Sequence, residues 1–512
     1  MLNEVEWVED VRGYLPNNAS SSAVVQGGGA GGSRPIWDKG LHGEDQIIGV
    51  LDTNLLDMAH DFFRDPAHAT PGPTHRKVVA ITPREDAPIE RHPTRVCGCA
   101  VGDDVTAPGA NLNRGGAWAA RLVYTDFDPL PAEGTVDALL KESFAKGARV
   151  HSMSVGESIP DPTLPAPYTA DSASYDHELW FNEYLLLVTG MTNTPNCDPD
   201  TPGFGGAPAT AKNPLSVSGM EDVPNQNTFF TGVSGTGDGR RKPDLVAVGD
   251  DIVSSTLTTP TDTSLIDSSC GTSYATPHVA AAAALVRQYF IEGFYPSGKR
   301  TPGDRVTPSN ALLKAVLLNA TVGPRQSQYP TVDEGWGLLE LDKTLHFDGD
   351  KRFLRVRDVP HFWGFDSGPP LRAKTFILPV PANVKSMKVT LVFNDPPGAV
   401  GAKDPVVNKL DLLVTEPMRT RWDGWELGYF ANDFDNNKVT RRRPLQTGTT
   451  TFPPDPAELK NNVRQVVVQS PVPGKWGLHV FSHKFDKANT PKEFRRGRQA
   501  QGYAWVASAE LT

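Results

Sequence analysis

The sequence predicts an α/β domain on a mostly parallel sheet with helices on both faces, followed by an antiparallel β-sandwich. Three observations carry this. Short apolar runs alternate with helix-period segments through the first two-thirds of the chain, the pattern of parallel β-α-β units. Beyond about residue 347, strand-like runs follow one another with only turn residues between them. The 512 residues include 47 glycines and 45 prolines, about 18% against roughly 12% on average, which suits a loop-rich protein and not a helical bundle.

Residues 1–33 read as an N-terminal extension whose end, QGGGAGGS (26–33), cannot hold regular structure and serves as a flexible linker. Residues 34–347 form the α/β domain. QIIGVLDT (46–53) is a continuous apolar strand ending in Asp, as expected for a strand buried on both faces. ARLVYTDF (120–127), ARVHSMSVG (148–156), YLLLVTG (184–190) and KPDLVAVG (242–249) are alike. TVDALLKESFAKGA (135–148), ATPHVAAAAALVRQYF and SNALLKAVLLNAT have helical spacing. In 348–512, KSMKVTLVF, KLDLLVT, VRQVVVQ, KWGLHVF and GYAWVASAEL are the sandwich strands.

Composition narrows the function classes. Lys plus Arg is 50 and Asp plus Glu 60, a net charge of −10, which excludes a nucleic-acid binder driven by phosphate neutralisation. No apolar run approaches the ~18 residues of a membrane span. MLNEVEWVED lacks the basic start and apolar stretch of a signal peptide, so the cytoplasm is slightly favoured over a secreted, processed form. Cys97, Cys99, Cys197 and Cys270 contain no CxxC pair, so neither a disulfide framework nor a zinc site is expected.

The most informative segment is GTSYATPHVAAAAALV (271–286). Gly271 and Thr272 make a tight turn into a helix whose first turn holds Ser273. A hydroxyl there lies beside unsatisfied backbone N–H groups at the positive helix end, which can stabilise an oxyanion. Pro277 is tolerable early in a helix, where few N–H donors are needed. Taken alone, the segment is equally an ordinary helix start.

It does not stand alone, because it closely resembles the nucleophile motif of the subtilases, the subtilisin-like serine peptidases. On that resemblance Ser273 is the nucleophile, and an Asp and a His must precede it in order. IIGVLDTNLLDMAHDFF (47–63) resembles the family's Asp strand, making Asp52 the triad carboxylate, with His60 and Phe63 following in place. RHPTRVCGCAVG (91–102) resembles the segment of the general base, making His92 that base. Here Pro93 replaces the usual Gly, Arg95 the second His, and Cys97 the Ala before Gly98. Proline is acceptable if His92 is an N-cap. An inward-pointing Arg95 would lower the imidazole pKa, so Arg95 is expected to point to solvent or to an acid.

Further implications follow. GARVHSMSVG resembles a substrate-lining strand, with Ser154, Val155 and Gly156 pairing with an extended peptide. GGAWAARLVYTDF resembles the opposite side of the cleft, around Gly115 and Gly116. TGDGRRKPDLVAVG and GAPATAKNPLSVSG resemble stretches upstream of the nucleophile. In LLLVTGMTNTPN (185–196) the family's oxyanion Asn falls on Met191, Thr192 or Asn193; only Asn193 has an amide donor. Losing that donor costs ~10²–10³ in turnover, a range that comes from a subtilisin. Thr189 and Gly190 belong to the pocket for the residue before the scissile bond, and Thr189 with Met191 should narrow it, implying restricted specificity.

After 347 the resemblance extends to subtilases with a β-barrel or jelly-roll domain, through MKVTLVFNDPPGA, VVNKLDLLVTEP and NDFDNNKV, although Lys409 stands where Asp is usual. The implied activity is serine endopeptidase cleavage of a peptide or protein through an acyl-enzyme. The alternatives are a catalytically impaired, peptide-binding subtilase and a transpeptidase. No redox, nucleotide or metal cofactor is required. Structural Ca²⁺ at Asp103–Asp104 or Asp433–Asp435 is an accessory the resemblance allows, without EF-hand spacing. The family commonly folds with a propeptide, and residues 1–25 are too short for one. Cys97, Cys99 and Cys270 read as small packing residues, with oxidation near the triad the alternative. The Arg441–Arg443 and Arg495–Arg498 runs read as solvated faces. The sequence does not specify the oligomeric state.

Overall fold

The protein's structure, a computed structural model, describes residues 17–29, 32–126, 135–157, 164–193, 205–221, 235–323, 330–366, 372–417, 425–435, 439–446, 458–485 and 500–512. The chain runs through α1 (Asn17–Gln26), β1 (Ile47–Asp52), β2 (Val78–Thr82), α2 (Arg91–Val101), β3 (Arg121–Asp126), α3 (Thr135–Ala145) and β4 (Val150–Met153). It continues with α4 (Ala170–Phe181), β5 (Leu186–Gly190), β6 (Leu215–Met220), β7 (Leu245–Val248), β8 (Ile252–Ser255) and β9 (Ile266–Ser269). Then come α5 (Thr272–Ile291), α6 (Asn310–Asn319), β10 (Thr321–Val322) and β11 (Leu338–Leu339).

Nine strands form one sheet in the order β10-β11-β7-β6-β5-β4-β1-β3-β2. Only β10–β11 is antiparallel. Because helices cover both faces, the central strands are buried on both sides and rich in apolar residues; all residues of β4, β6 and β7 are buried. The strand order turns at β1, which pairs with β3 on one side and β4 on the other. The crevice beyond its C-terminal end is where such sheets place their sites. β8 and β9 form a separate antiparallel hairpin that packs on α2.

The alanine-rich stretch of α5 lets its backbone approach the sheet closely: Ala280 to Ala284 are all buried, and the helix packs on β4, β5 and β6. That packing sets the N-terminus of α5 beside the ends of β4 and β5.

The N-terminal expectation needs correction. From Asn17 the chain is helical, and Ala23, Val24 and Val25 are buried as α1 packs on α5 and β7. The glycines after it do not begin as a free linker, since Gly27 N and Gly28 N donate to Val24 O and Ala23 O. Apolar burial against the large domain outweighs the weak helical propensity of NNASSSAVVQ.

The C-terminal region holds β12 (Arg352–Val359), β13 (Phe365–Asp366), β14 (Arg372–Val380), β15 (Val384–Val392), β16 (Lys409–Thr415) and β17 (Trp425–Phe434). It ends with β18 (Thr440–Gln446), β19 (Val463–Gln469), β20 (Gly474–Lys484), β21 (Ala500–Gln501) and β22 (Tyr503–Leu511). Two antiparallel sheets, β12-β22-β15-β19 and β14-β20-β16-β17-β18, enclose a core with Leu391, Leu412, Trp476 and Val480. The sandwich predicted from successive strand-like runs joined by turn residues is thus observed.

The sandwich is not loosely tethered. β15 and β22 pack on α6, and the ammonium of Lys212, wholly buried, reaches Asp395 Oδ2 at 2.5 Å and the carbonyl of Pro405 at 2.8 Å. Asn462 Nδ2 adds a bond to the carbonyl of Lys212 at 3.0 Å. Among the described residues no helix is long and apolar enough to cross a membrane.

Candidate active site

Asp52 ends β1 with its side chain fully buried. One carboxylate oxygen, Oδ1, accepts from the Thr53 N–H at 2.8 Å and lies 2.9 Å from His92 Nδ1. His92 sits in the first turn of α2. The helix begins two residues earlier than expected, with Glu90 as N-cap in extended conformation, so His92 is not the cap. Pro93 is the third helical residue and still within the first turn, where no intrahelical donor is lost.

Burial alone would depress His92, but the charge of Asp52 and the hydrogen bond to it outweigh that and hold the imidazole above its ordinary range. Arg95 pulls the other way. With Nδ1–H directed to Asp52, Nε2 is left as the basic nitrogen.

Ser273 is the second residue of α5, after Gly271 at φ 146°, a backbone conformation open to glycine. Pro277 is the sixth residue of this helix, beyond the turn in which a missing N–H costs nothing. It therefore removes the i→i−4 donor to the carbonyl of Ser273. Ser154 Oγ supplies the replacement, donating to that carbonyl at 2.8 Å. Ser273 Oγ donates in turn to the carbonyl of Ser154 at 3.1 Å. Asp52, His92 and Ser273 thus lie at the C-terminal edge of the sheet. Among the described residues no hydrogen bond joins Ser273 to His92.

Asn193 follows β5, and its side-chain Oδ1 accepts from the N–H of Thr272 at 2.7 Å and from Thr272 Oγ1 at 2.9 Å. It caps α5 from outside the helix, and its Nδ2 lies against Gly271, 3.3 Å from where a Cβ on that glycine would stand. Gly190 lies directly against the same turn: a Cβ there would meet Thr276 Oγ1 at 3.0 Å and Thr272 Oγ1 at 3.2 Å. Thr189 is buried beside it, opposite Met153 in the sheet. Ser154, Val155 and Gly156 continue from β4 towards the surface, Gly156 being exposed.

Gly115 and Gly116 are not brought to this site. Gly115 N and Gly116 N donate to the carbonyls of Gly102 and Cys99, at the far end of α2 from His92, and both residues precede β3. They lie below the N-terminal side of a parallel sheet whose site is at the other end. Their glycine character serves close packing: a Cβ on Gly115 would fall 2.6 Å from Val101 N.

The cysteine reading also changes. Cys97 and Cys99 are free and buried, and burial pushes their thiols up, that of Cys99 to about 12. Cys270 is disulfide-bonded and is not a free packing thiol. Cys197 and Arg495–Arg498 lie outside the described residues.

The acidic loops keep their carboxylates for themselves. Asp104 Oδ1 accepts from Thr106, Asp103 Oδ1 from Gly109 N, and Asp433 pairs with Arg441 and Arg443. Among the described residues no group of three or more His, Cys, Asp or Glu side chains is arranged to hold a metal ion.

Arg95 does meet an acid, but from the interior. Its buried guanidinium pairs with Asp267 on β9, donates to Tyr274 Oη at 3.2 Å and stacks 5.4 Å from that ring's centre. Sequence reasoning missed Asp267 and Tyr274; the only available signal was the aromatic residue directly after Ser273.

The family model described as the subtilase family matches residues 43–338. The serine protease/ABC transporter B family protein tagA of Dictyostelium discoideum is 24% identical over 523 residues, covering 80% of this chain and 29% of that protein. The subtilisin-like protease PopC of Myxococcus xanthus (strain DK1622) is 26% identical over 264 residues, covering 49% of this chain and 53% of PopC. Among solved structures, the prenylagaramide maturation protease PagA is 18% identical with a TM-score of 0.44, over 60% of this chain and 95% of PagA. This chain spans less than a third of the length of its Dictyostelium relatives. With more than half its residues matched by the family model, the chain belongs to the subtilase family.

Proposed function

We propose that this chain is a serine endopeptidase that hydrolyses peptide bonds of restricted sequence through Asp52, His92 and Ser273. The observation that carries this reading is the 2.9 Å contact between His92 Nδ1 and buried Asp52, at the sheet edge that also receives the first turn of the Ser273 helix. A peptide lies extended along Ser154–Gly156. Ser273 Oγ leaves its resting bond with the Ser154 carbonyl and attacks the scissile carbonyl, while His92 Nε2 takes its proton. Asp52 holds the imidazole tautomer and stabilises the imidazolium. The Ser273 N–H and Asn193 Nδ2 stabilise the tetrahedral oxyanion. His92 returns the proton to the leaving amine, and water resolves the acyl-enzyme. None of these steps calls on a cofactor.

Restricted specificity is supported by the segment after β5. Gly205 closes on it so tightly that a Cβ there would come 3.2 Å from Thr192 Oγ1 and 3.6 Å from Met191 Cε. Broad digestion of unfolded proteins would contradict this part of the proposal.

The test of activity is labelling with a fluorophosphonate. Folded protein should be labelled at Ser273 and the Ser273→Ala variant should not. Absence of labelling in folded wild type overturns the enzyme reading. A second reading, a subtilase that binds peptides without cutting them, draws on the Ser273 hydroxyl being engaged by Ser154 and not by His92. The same label separates the two.

A further inference from the structure

The imidazole of His92 is flanked on its own helix by two guanidiniums, Arg91 one residue before it and Arg95 three residues after. Residues three apart on a helix are neighbours, so a buried cation at 95 bears directly on the base. Arg95 is only 4% exposed and cannot shed its field into water. An uncompensated guanidinium there would disfavour the imidazolium that must form when Ser273 gives up its proton.

One residue meets both cations. Asp267 projects from β9 towards α2, pairing through Oδ1 with Arg95 and approaching Arg91 Nε through Oδ2 at 3.7 Å. The hairpin that carries it is held to α2 independently: Ser254 Oγ and Ser255 Oγ on β8 donate to the carbonyls of Arg95 and Thr94 at 3.3 and 2.9 Å. The position of Asp267 is therefore set by the fold and not by the ion pair alone.

The same cluster reaches the nucleophile. Tyr274, next to Ser273, accepts the Arg95 hydrogen bond, and its ring centre lies 6.0 Å from that of His92. The charged and titratable groups around the imidazole are Asp52 from β1, Glu90, Arg91 and Arg95 from α2 and its cap, Tyr274 from α5, and Asp267 from β9. Cys97 and Tyr124 lie behind, in the field of Asp52.

We propose that Asp267 is a positioning residue for the general base: by neutralising Arg95 and Arg91 it preserves the basicity of His92, and through Arg95 it holds Tyr274 against the imidazole. The pair substitutes for the family's second His with an internally balanced cation. This inference rests on His92 acting as the base in the proposed function.

The test is the rate of fluorophosphonate labelling of Ser273 against pH, in the full chain and its variants. Labelling needs neutral His92, so its acid limb reports that group. In Asp267→Asn the limb should move to lower pH by about half a unit or more, an opposite charge having been removed from the surroundings. At a pH on the limb this reads as labelling about threefold faster relative to each protein's own plateau. Arg95→Met should move the limb the other way, Arg95→Lys should leave it near wild type, and the double variant Asp267→Asn/Arg95→Met should largely restore it.

A purely structural role would lower the melting temperature without moving the limb. Wild type that labels, with limbs unmoved in folded Asp267→Asn, overturns this inference and leaves the enzyme reading standing. Wild type that does not label overturns both. Asp267 is one-third exposed on a hairpin, so its variant decides the matter even if Arg95→Met does not fold.

Discussion

Ser154 and Ser273 exchange hydrogen bonds, each hydroxyl donating to the other's backbone carbonyl, at 2.8 Å and 3.1 Å. The exchange exists because Pro277 leaves the Ser273 carbonyl without its helical donor. It ties the nucleophile helix to the strand segment proposed to bind substrate.

Ser154→Ala removes one of these bonds and leaves a buried carbonyl unsatisfied. The expected loss is about 1–3 kcal/mol, read from urea unfolding. The Ser273 hydroxyl keeps its acceptor, the Ser154 backbone, so fluorophosphonate labelling should persist.

Asn193 has two separable duties. In Asn193→Asp the acceptor for Thr272 remains while the Nδ2 donor is lost. Turnover of a cleaved peptide should fall by about 10²–10³ with KM nearly unchanged, and the melting temperature should change little. Asn193→Ala should lose both turnover and stability.

Glu183, just after α4, accepts the His361 N–H at 2.6 Å across the junction with the sandwich. Burial pushes its carboxyl up to about 7; the His361 bond opposes this and Asp358 reinforces it. A carboxyl raised in the fold from its usual 4.5 stabilises fully below that value, and loses the contribution as pH rises through about 7. Glu183→Gln should therefore match wild type near pH 5 and melt a few degrees higher at pH 8, as thermal scans at both pH values would show.

Lys212→Met should be the most disruptive substitution at the junction. Lys212 and Asp395 are both fully buried, and burial raises the Asp395 carboxyl against the opposing pull of Lys212. Removing the cation leaves that acid uncompensated, at a cost of about 3–5 kcal/mol in chemical denaturation. Lys212→Met/Asp395→Asn should recover part of it.

Thiol titration checks the cysteine assignment. Cys97 and Cys99 are buried with thiols pushed up, so neither should react with Ellman's reagent in the native protein. Both should react on denaturation without reductant, and Cys270 should appear only after reduction.

Much of this protein was legible along the chain because its signals are local. A parallel strand buried on both faces is rich in apolar residues, which marked β1, β3, β4, β5 and β7. Strand-like runs joined only by turn residues marked the sandwich. The order of Asp52, His92 and Ser273 with their neighbours indicated the family, because each lies within a short stretch of distinctive spacing. What stayed hidden depends on contacts between distant segments. Nothing in NNASSSAVVQ announces α1, which exists because α5 and β7 bury it. Gly115 and Gly116 looked like cleft residues, but only the sheet direction shows which end of β3 they occupy. Pro277 appeared harmless until its helical position and the Ser154 hydroxyl 119 residues away were seen together. The partner of Arg95 could not be named from sequence, because burying a guanidinium requires an opposite charge that only packing of the β8–β9 hairpin on α2 supplies.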